Sequence, residues 1–200
     1  MKPTKEEIFK HNKNFLLRIR KQRIHLIGID LGTFITGISI SHKNYTDKIE
    51  SSLKSITSRI NIISNEINKI LKPYNANAIA LIEDYAFAGK TVVQEAELGG
   101  MVKNRLFVNN IPFMTIAPTT VKKFVLGEGK GHAKSRKELM LLEAYKRWAI
   151  SFDDNNECDA YCIRKFLEYM FNYLDRSDKF KKWEEKMFRD FVINRGDPVM

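Results

Sequence analysis

Cysteine is scarce in this chain: there are two, Cys158 and Cys162, one helical turn apart. No further cysteine could complete a thiolate zinc cage, so the pair reads as reduced thiols, packed or half-exposed. Long hydrophobic runs are lacking as well. No stretch approaches the ~20 apolar residues that a membrane helix needs. Residues 1–23 alternate charged and apolar positions where a signal peptide would carry an unbroken apolar core. We therefore expect a soluble, intracellular protein with no membrane partner. Internal repeats and linker-like stretches are missing too, and 200 residues suffice for one ordinary domain with a real core.

Charge is present in excess of one sign. Lys and Arg number 34 against 24 Asp and Glu, for a formal net charge of +10. Such a balance predicts an acidic partner, nucleic acid or an anionic surface, and does not choose between them.

Hydrophobic spacing divides the chain into elements. Residues 5–23 read as a basic amphipathic helix with Ile8, Phe15, Leu16 and Ile19 on its apolar side. Apolar runs at 24–29 and 34–40, joined through Asp30, Leu31, Gly32 and Thr33, predict a hairpin. The polar stretch 41–52 has room for a short third strand. Leu53, Ile56, Ile60, Ile63, Ile67 and Ile70 recur at helical steps until Pro73 ends the run. A buried strand is expected over 78–83 and a helix over 92–108, where Gly99 and Gly100 would let a neighbouring backbone approach. A strand at 111–116 leads to Pro118, suited to the first turn of a helix. After the glycine-rich stretch 127–131 comes a helix over 135–148 with Leu139, Leu142 and Tyr145 on one side. A last core helix carries Asp159, Ile163, Phe166, Leu167 and Met170, and 178–194 form a basic, aromatic terminal helix. Strand and helix alternation after an opening hairpin implies an α/β fold around a mixed sheet.

Three acids stand where carboxylates are unfavourable unless paired or bound to a cation. Asp30 ends the first strand, Glu83 ends the strand over 78–83, and Asp159 opens the last core helix. Singly each has an ordinary role, as turn former, strand-end charge or helix-start acid. If the two strands are neighbours, their backbones lie ~4.8 Å apart, close enough for both carboxylates to share a divalent cation. All-oxygen donors select hard cations, Mg2+ or Mn2+, and two such ions ~4 Å apart can promote phosphodiester hydrolysis.

The segments that carry this chemistry resemble the RuvC-like Holliday junction resolvases of the RNase H-like superfamily. Residues 27–40 (IGIDLGTFITGISI) resemble that family's first hairpin, and 80–87 (ALIEDYAF) put Glu83 on its second catalytic carboxylate. Residues 118–129 (PTTVKKFVLGEG) and 133–136 (AKSR) are similar to its basic region, and 157–161 (ECDAY) match its closing Asp-Ala signature at Asp159. The resemblance spans roughly residues 24–172.

It implies an RNase H-like fold, a five-stranded mixed sheet flanked by helices, with an extra N-terminal helix. Residues 1–23 would form that helix, 24–176 the nuclease domain and 177–200 a helical extension. It also implies a crossover junction endodeoxyribonuclease of recombination and repair, a homodimer acting on four-way junctions or other branched DNA. Asp30, Glu83 and Asp159 would hold two Mg2+ ions, with Mn2+ as a substitute. Lys122 matches a phosphate-contacting lysine, Lys134 a lysine beside the scissile phosphate, and Arg136 a further DNA contact. Tyr85 and Phe87 are the candidates for stacking on an opened base, although the family's aromatic position is Ala86 here. The family also carries Asp or His three residues before its last Asp, where this chain has Asn156. An amide oxygen can still ligate, with Asp154 or Glu157 as the alternative acid. The homodimer is also supported by apolar helix surface around Gly99, Gly100 and Val102. A phage source would place the protein in a host cell's cytoplasm.

Two other readings share the fold. The segment from Gly28 to Thr33 also resembles the phosphate-binding hairpin of actin-like ATPases, but those need two lobes to enclose a nucleotide. A non-catalytic nucleic-acid-binding domain would fit Asn156, yet would have no reason to keep acids at buried strand ends.

Overall fold

The computed structural model describes residues 2–84, 92–127 and 136–199, with the side chains of residues 136 and 137 left out. In chain order the elements are α1 (Lys5–Gln22), β1 (His25–Asp30), β2 (Ile35–Ile40), β3 (Tyr45–Glu50), α2 (Ile56–Leu71), β4 (Ala78–Glu83), α3 (Val92–Val108), β5 (Phe113–Ile116), α4 (Pro118–Leu126), α5 (Arg136–Trp148), α6 (Asn155–Asp175) and α7 (Lys182–Arg195). The expected third strand exists as β3, whose Asp47, Lys48 and Glu50 keep a sheet edge charged.

The sheet runs β3-β2-β1-β4-β5. β1, β2 and β3 pair antiparallel as a meander, whereas β4 and β5 join β1 in parallel. Central strands β1 and β4 are buried almost throughout, as expected of strands covered on both faces. At the β5 edge, Val199 pairs antiparallel with Phe113, with N–O distances of 3.1 and 3.0 Å.

Two cores follow from the alternation of side chains along the strands. One face turns Ile27, Ile29, Ala80 and Ile82 toward Ile60, Ile63 and Ile67 of α2 and Leu98 and Val102 of α3. The other turns Leu26, Ile79 and Leu81 toward Ile163, Phe166 and Leu167 of α6, with Phe124 of α4, Met140 of α5, Leu16 of α1 and Phe188 of α7. The result is a three-layer α/β/α sandwich, the expected mixed sheet with an added N-terminal helix.

α6 reaches the hairpin closely because small residues face it. A Cβ on Gly28 would lie 2.3 Å from the Ala160 carbonyl oxygen, and one on Gly37 would lie 2.0 Å from that of Asn156. These are the glycines that admit a neighbouring backbone. Among the described residues Gly99 and Gly100 do not serve the close approach expected of them: a Cβ on Gly99 meets only Leu31 at 3.6 Å, and one on Gly100 meets nothing within 4 Å.

Three details of phase differ from expectation. Leu53 precedes α2, which Ser55 caps, and its side chain is exposed. On α5 the buried stripe is Met140 and Ala144, with Trp148 packed against the same core, while Leu142 and Tyr145 face solvent. Both stripes have helical spacing, so tertiary packing selected between them. Asp159 does not open α6: Asp154 is the N-cap, and Asp159 lies in the second turn. Cys158 and Cys162 are free and buried, and their mutual hydrogen bond together with burial pushes the Cys162 thiol well up, away from nucleophilic use.

Candidate active site

β1 and β4 stay in register from the His25–Ala78 pair to the Ile29–Ile82 pair. The next rung therefore brings Asp30 and Glu83 side by side at the C-terminal ends of parallel neighbours. Both belong to the strand positions that face α6, the same positions as Leu26 and Leu81. Asp30 is buried and Glu83 half-buried, and their side chains are hydrogen-bonded to each other.

α6 supplies the third acid. Ala160 and Asn156 seat its backbone on Gly28 and Gly37, which carries Asp159 over the strand ends. Burial is the largest influence on Glu83 and raises its carboxyl pKa above the usual range. The hydrogen bond from Asp30 opposes that rise, Asp159 adds to it, Lys122 opposes it, and Glu95 adds to it. The structure thus assembles Asp30, Glu83 and Asp159 with Lys122 of α4, and it brings in Glu95, from the first turn of α3, which the sequence reading missed. The available signal was an acid in the first turn of the helix that follows the β4 strand end.

Asn156 has a defined setting. Its backbone N–H and its Nδ2 donate to Asp154 Oδ1 at 2.8 and 2.9 Å, and Lys48 Nζ donates to Asp154 Oδ2 at 3.2 Å. Burial notwithstanding, these bonds from Asn156 and Lys48 hold the Asp154 carboxyl below its usual range. Glu157 is raised by burial and by the charges of Asp154 and Asp47, so it belongs with the acids beside β3. Asp154 serves as helix cap and ion-pair partner, and Asn156 commits its backbone N–H and an amide N–H to it.

The remaining expected residues divide by location. Tyr85, Phe87 and Lys134 lie outside the described residues, and Arg136 is the first residue of α5. Among the described residues, no three acidic, histidine or cysteine side chains converge closely enough, as placed, to hold one ion. The donor chemistry nevertheless fits a hard divalent cation, because the donors are carboxylate oxygens and burial with like charge penalises ionised Glu83. No helix among the described residues is long and apolar enough to cross a membrane.

The chain is similar to known proteins in sequence and in fold. The family model for the crossover junction endodeoxyribonuclease RuvC matches residues 26–147. The RuvC of Carboxydothermus hydrogenoformans is 33% identical over 129 residues, 58% of this chain and 78% of that protein. That of Fusobacterium nucleatum subsp. nucleatum is 31% identical over 126 residues, 58% of this chain and 66% of the relative. Thermus thermophilus RuvC superposes with a TM-score of 0.57 at 20% identity, covering 74% of this chain and 95% of that one. The same protein in complex with a Holliday junction substrate superposes at 0.58 with 18% identity, over 74% and 94% of the two chains. Sequence and fold converge on one conclusion: the chain belongs to the RuvC family of metal-dependent crossover junction endodeoxyribonucleases.

Proposed function

We propose that this protein is a structure-selective endonuclease that hydrolyses phosphodiester bonds at four-way junctions and related branched DNA. The observation that carries this reading is the hydrogen-bonded pair Asp30 and Glu83 on adjacent parallel strands, with Asp159 and Lys122 beside them. Asp30, Glu83 and Asp159, joined by the amide oxygen of Asn156, would hold two Mg2+ ions, for which Mn2+ can substitute. When bound, such ions lower the pKa of water and draw charge from the phosphodiester.

The chain's own groups do the rest. On binding ions, the hydrogen-bonded Asp30 and Glu83 would release a proton to solvent, and Asp159 holds its place through the close seating of α6. Lys122 faces the carboxylates and positions the phosphate, while Lys134 offsets the charge that develops in the transition state. Arg136 contributes a backbone contact, and Tyr85 or Phe87 stacks on an opened base, an interaction of ~1–3 kcal/mol. Residues 24–176 form the nuclease unit in this reading.

A four-way junction is two-fold symmetric, and a C2 dimer presents two sites to opposed strands. The dimer face expected around Gly99, Gly100 and Val102 needs revision, since Gly99 and Val102 are buried in the protein's own core. The exposed stripe of α3 is instead Val93, Gly100 and Phe107, at seven-residue spacing. We assign the dimer contact to that stripe.

The decisive experiment offers a synthetic four-way junction, a flap and a linear duplex with Mg2+, Mn2+ or chelator. Paired nicks across the junction are expected, and Asp30→Asn should bind without cutting. Cleavage by Asp30→Asn, or activity that survives chelation, overturns the mechanism.

A further inference from the structure

α4 and α7 leave between them a cavity of about 410 Å³. Thr119, Thr120 and Lys123 line it from α4, and Lys186, Asn194 and Arg195 from α7, with Asp190 as an opposing acid. Lys186, Asn194 and Arg195 are exposed. The first turn of α4 has no side-chain cap, because Ala117 occupies the N-cap and Pro118 follows. Pro118 has no N–H and Thr120 N–H donates to the Ala117 carbonyl at 2.9 Å, so it is the helix dipole that favours an anion there.

Arg195 ties the cavity to the strand ends that carry the carboxylates. Arg195 Nη2 lies 3.5 Å from the carboxylate of Asp84, the residue after Glu83, and Arg195 Nη1 donates to Thr115 Oγ1 of β5 at 3.1 Å. Consecutive lysines of α4 divide the two regions: Lys122 acts on Glu83, and Lys123 lines the cavity. α7 is firmly placed for such a role. Met187, Phe188, Phe191 and Val192 enter the core that holds Leu16 and Ile19 of α1. Asn12 Nδ2 donates to the Val192 carbonyl at 2.8 Å, and Arg189 pairs with Glu6. α7 follows the stretch that matches the family model, which ends at residue 147.

We infer that the cleft between α4 and α7 seats the sugar–phosphate backbone of the duplex arm that continues from the cut strand. A strand lying over Glu83 and Lys122 runs on toward Lys123 and Lys186, and the cationic lining meets phosphates whatever the base sequence. The inference rests on the branched-DNA reading above.

Its test measures equilibrium binding of a four-way junction by full-length Asp30→Asn protein across roughly 50 to 200 mM salt. Lys123→Ala and Lys186→Ala are compared with Lys69→Ala, which removes the same charge from α2 on the opposite face of the sheet. Each cleft substitution should weaken binding about 3- to 10-fold and reduce the salt slope by about 1. Lys69→Ala should stay within about twofold of the parent, and Lys186→Arg should retain the parent's affinity and slope. Trimming the junction arms should erase the difference between parent and cleft variants. Unchanged slopes in the cleft variants, or an equal effect of Lys69→Ala, overturn the cleft. Wild-type cleavage of the same junction reports on the functional reading separately. If the wild type cuts and the cleft variants bind as the parent does, the cleft assignment alone falls.

Discussion

A methyl group on Gly37 would stand 2.0 Å from the backbone oxygen of Asn156, closer than any side chain tolerates. The same contact that seats α6 on the hairpin thereby sets how far Asp159 lies from Asp30 and Glu83. Gly28, under the Ala160 carbonyl, is the second point of support.

Gly37→Ala and Gly28→Ala should lift α6 off the sheet, lower stability by at least ~1–3 kcal/mol and abolish junction cleavage. Gly99→Ala, which meets only ordinary contact with Leu31, should be neutral or stabilising by up to ~1 kcal/mol. Thermal melts and a junction cleavage assay decide the matter. A Gly37→Ala protein that melts and cuts like wild type would remove the seating argument.

Glu83→Gln should trade activity for stability. Burial and the neighbouring carboxylates raise the Glu83 pKa in the fold, so its contribution is intact below the unfolded pKa. That contribution is lost as pH rises through the folded pKa. In metal-free buffer Glu83→Gln should therefore raise the melting temperature by roughly 2–4 °C at pH 8 and by little at pH 4. Mg2+ should stabilise the wild type more than the variant. An equal gain at both pH values would contradict this account.

Asn156 and Asp154 should separate cleanly. Asn156→Ala should weaken metal binding and cleavage about 10- to 100-fold, whereas Asn156→Asp should retain both. Asp154→Ala removes a helix cap and should lower stability by ~1 kcal/mol while Mg2+ affinity stays within about twofold. Calorimetric Mg2+ titration beside thermal melts reads the two effects apart. A loss of Mg2+ affinity in Asp154→Ala as large as in Asn156→Ala would return Asp154 to the ligand set.

Phe107→Glu places a charge on the exposed stripe of α3 and should shift the protein to monomer at micromolar concentration in analytical ultracentrifugation. Paired junction nicks should become independent single nicks. An unchanged dimer would move the interface elsewhere.

Much of this molecule was legible in its residue order. Apolar runs that stop at an acid marked Asp30 and Glu83 as strand ends, because a buried strand leaves few places for a carboxylate. Helical spacing located α2 and α6, and the motif resemblance joined Asp159 and Lys122 to the set. Periodicity failed where two stripes of one helix were both apolar. On α5 the stripe through Leu142 and Tyr145 was as regular as the one through Met140 and Ala144, and only the neighbouring helices chose between them.

The three candidate carboxylates could thus be named from the sequence, because local pattern decides what each strand and helix offers to a partner. Their distances, the arrival of Glu95, the commitment of Asp154 to Lys48 and the joining of α7 to α4 were decided by tertiary structure. Each depends on contacts between residues remote in the chain, and no local pattern states which surfaces will meet. Gly37 shows the difference most directly. In the sequence it is one more small residue in a hairpin, and in the fold it is the space that Asn156 fills.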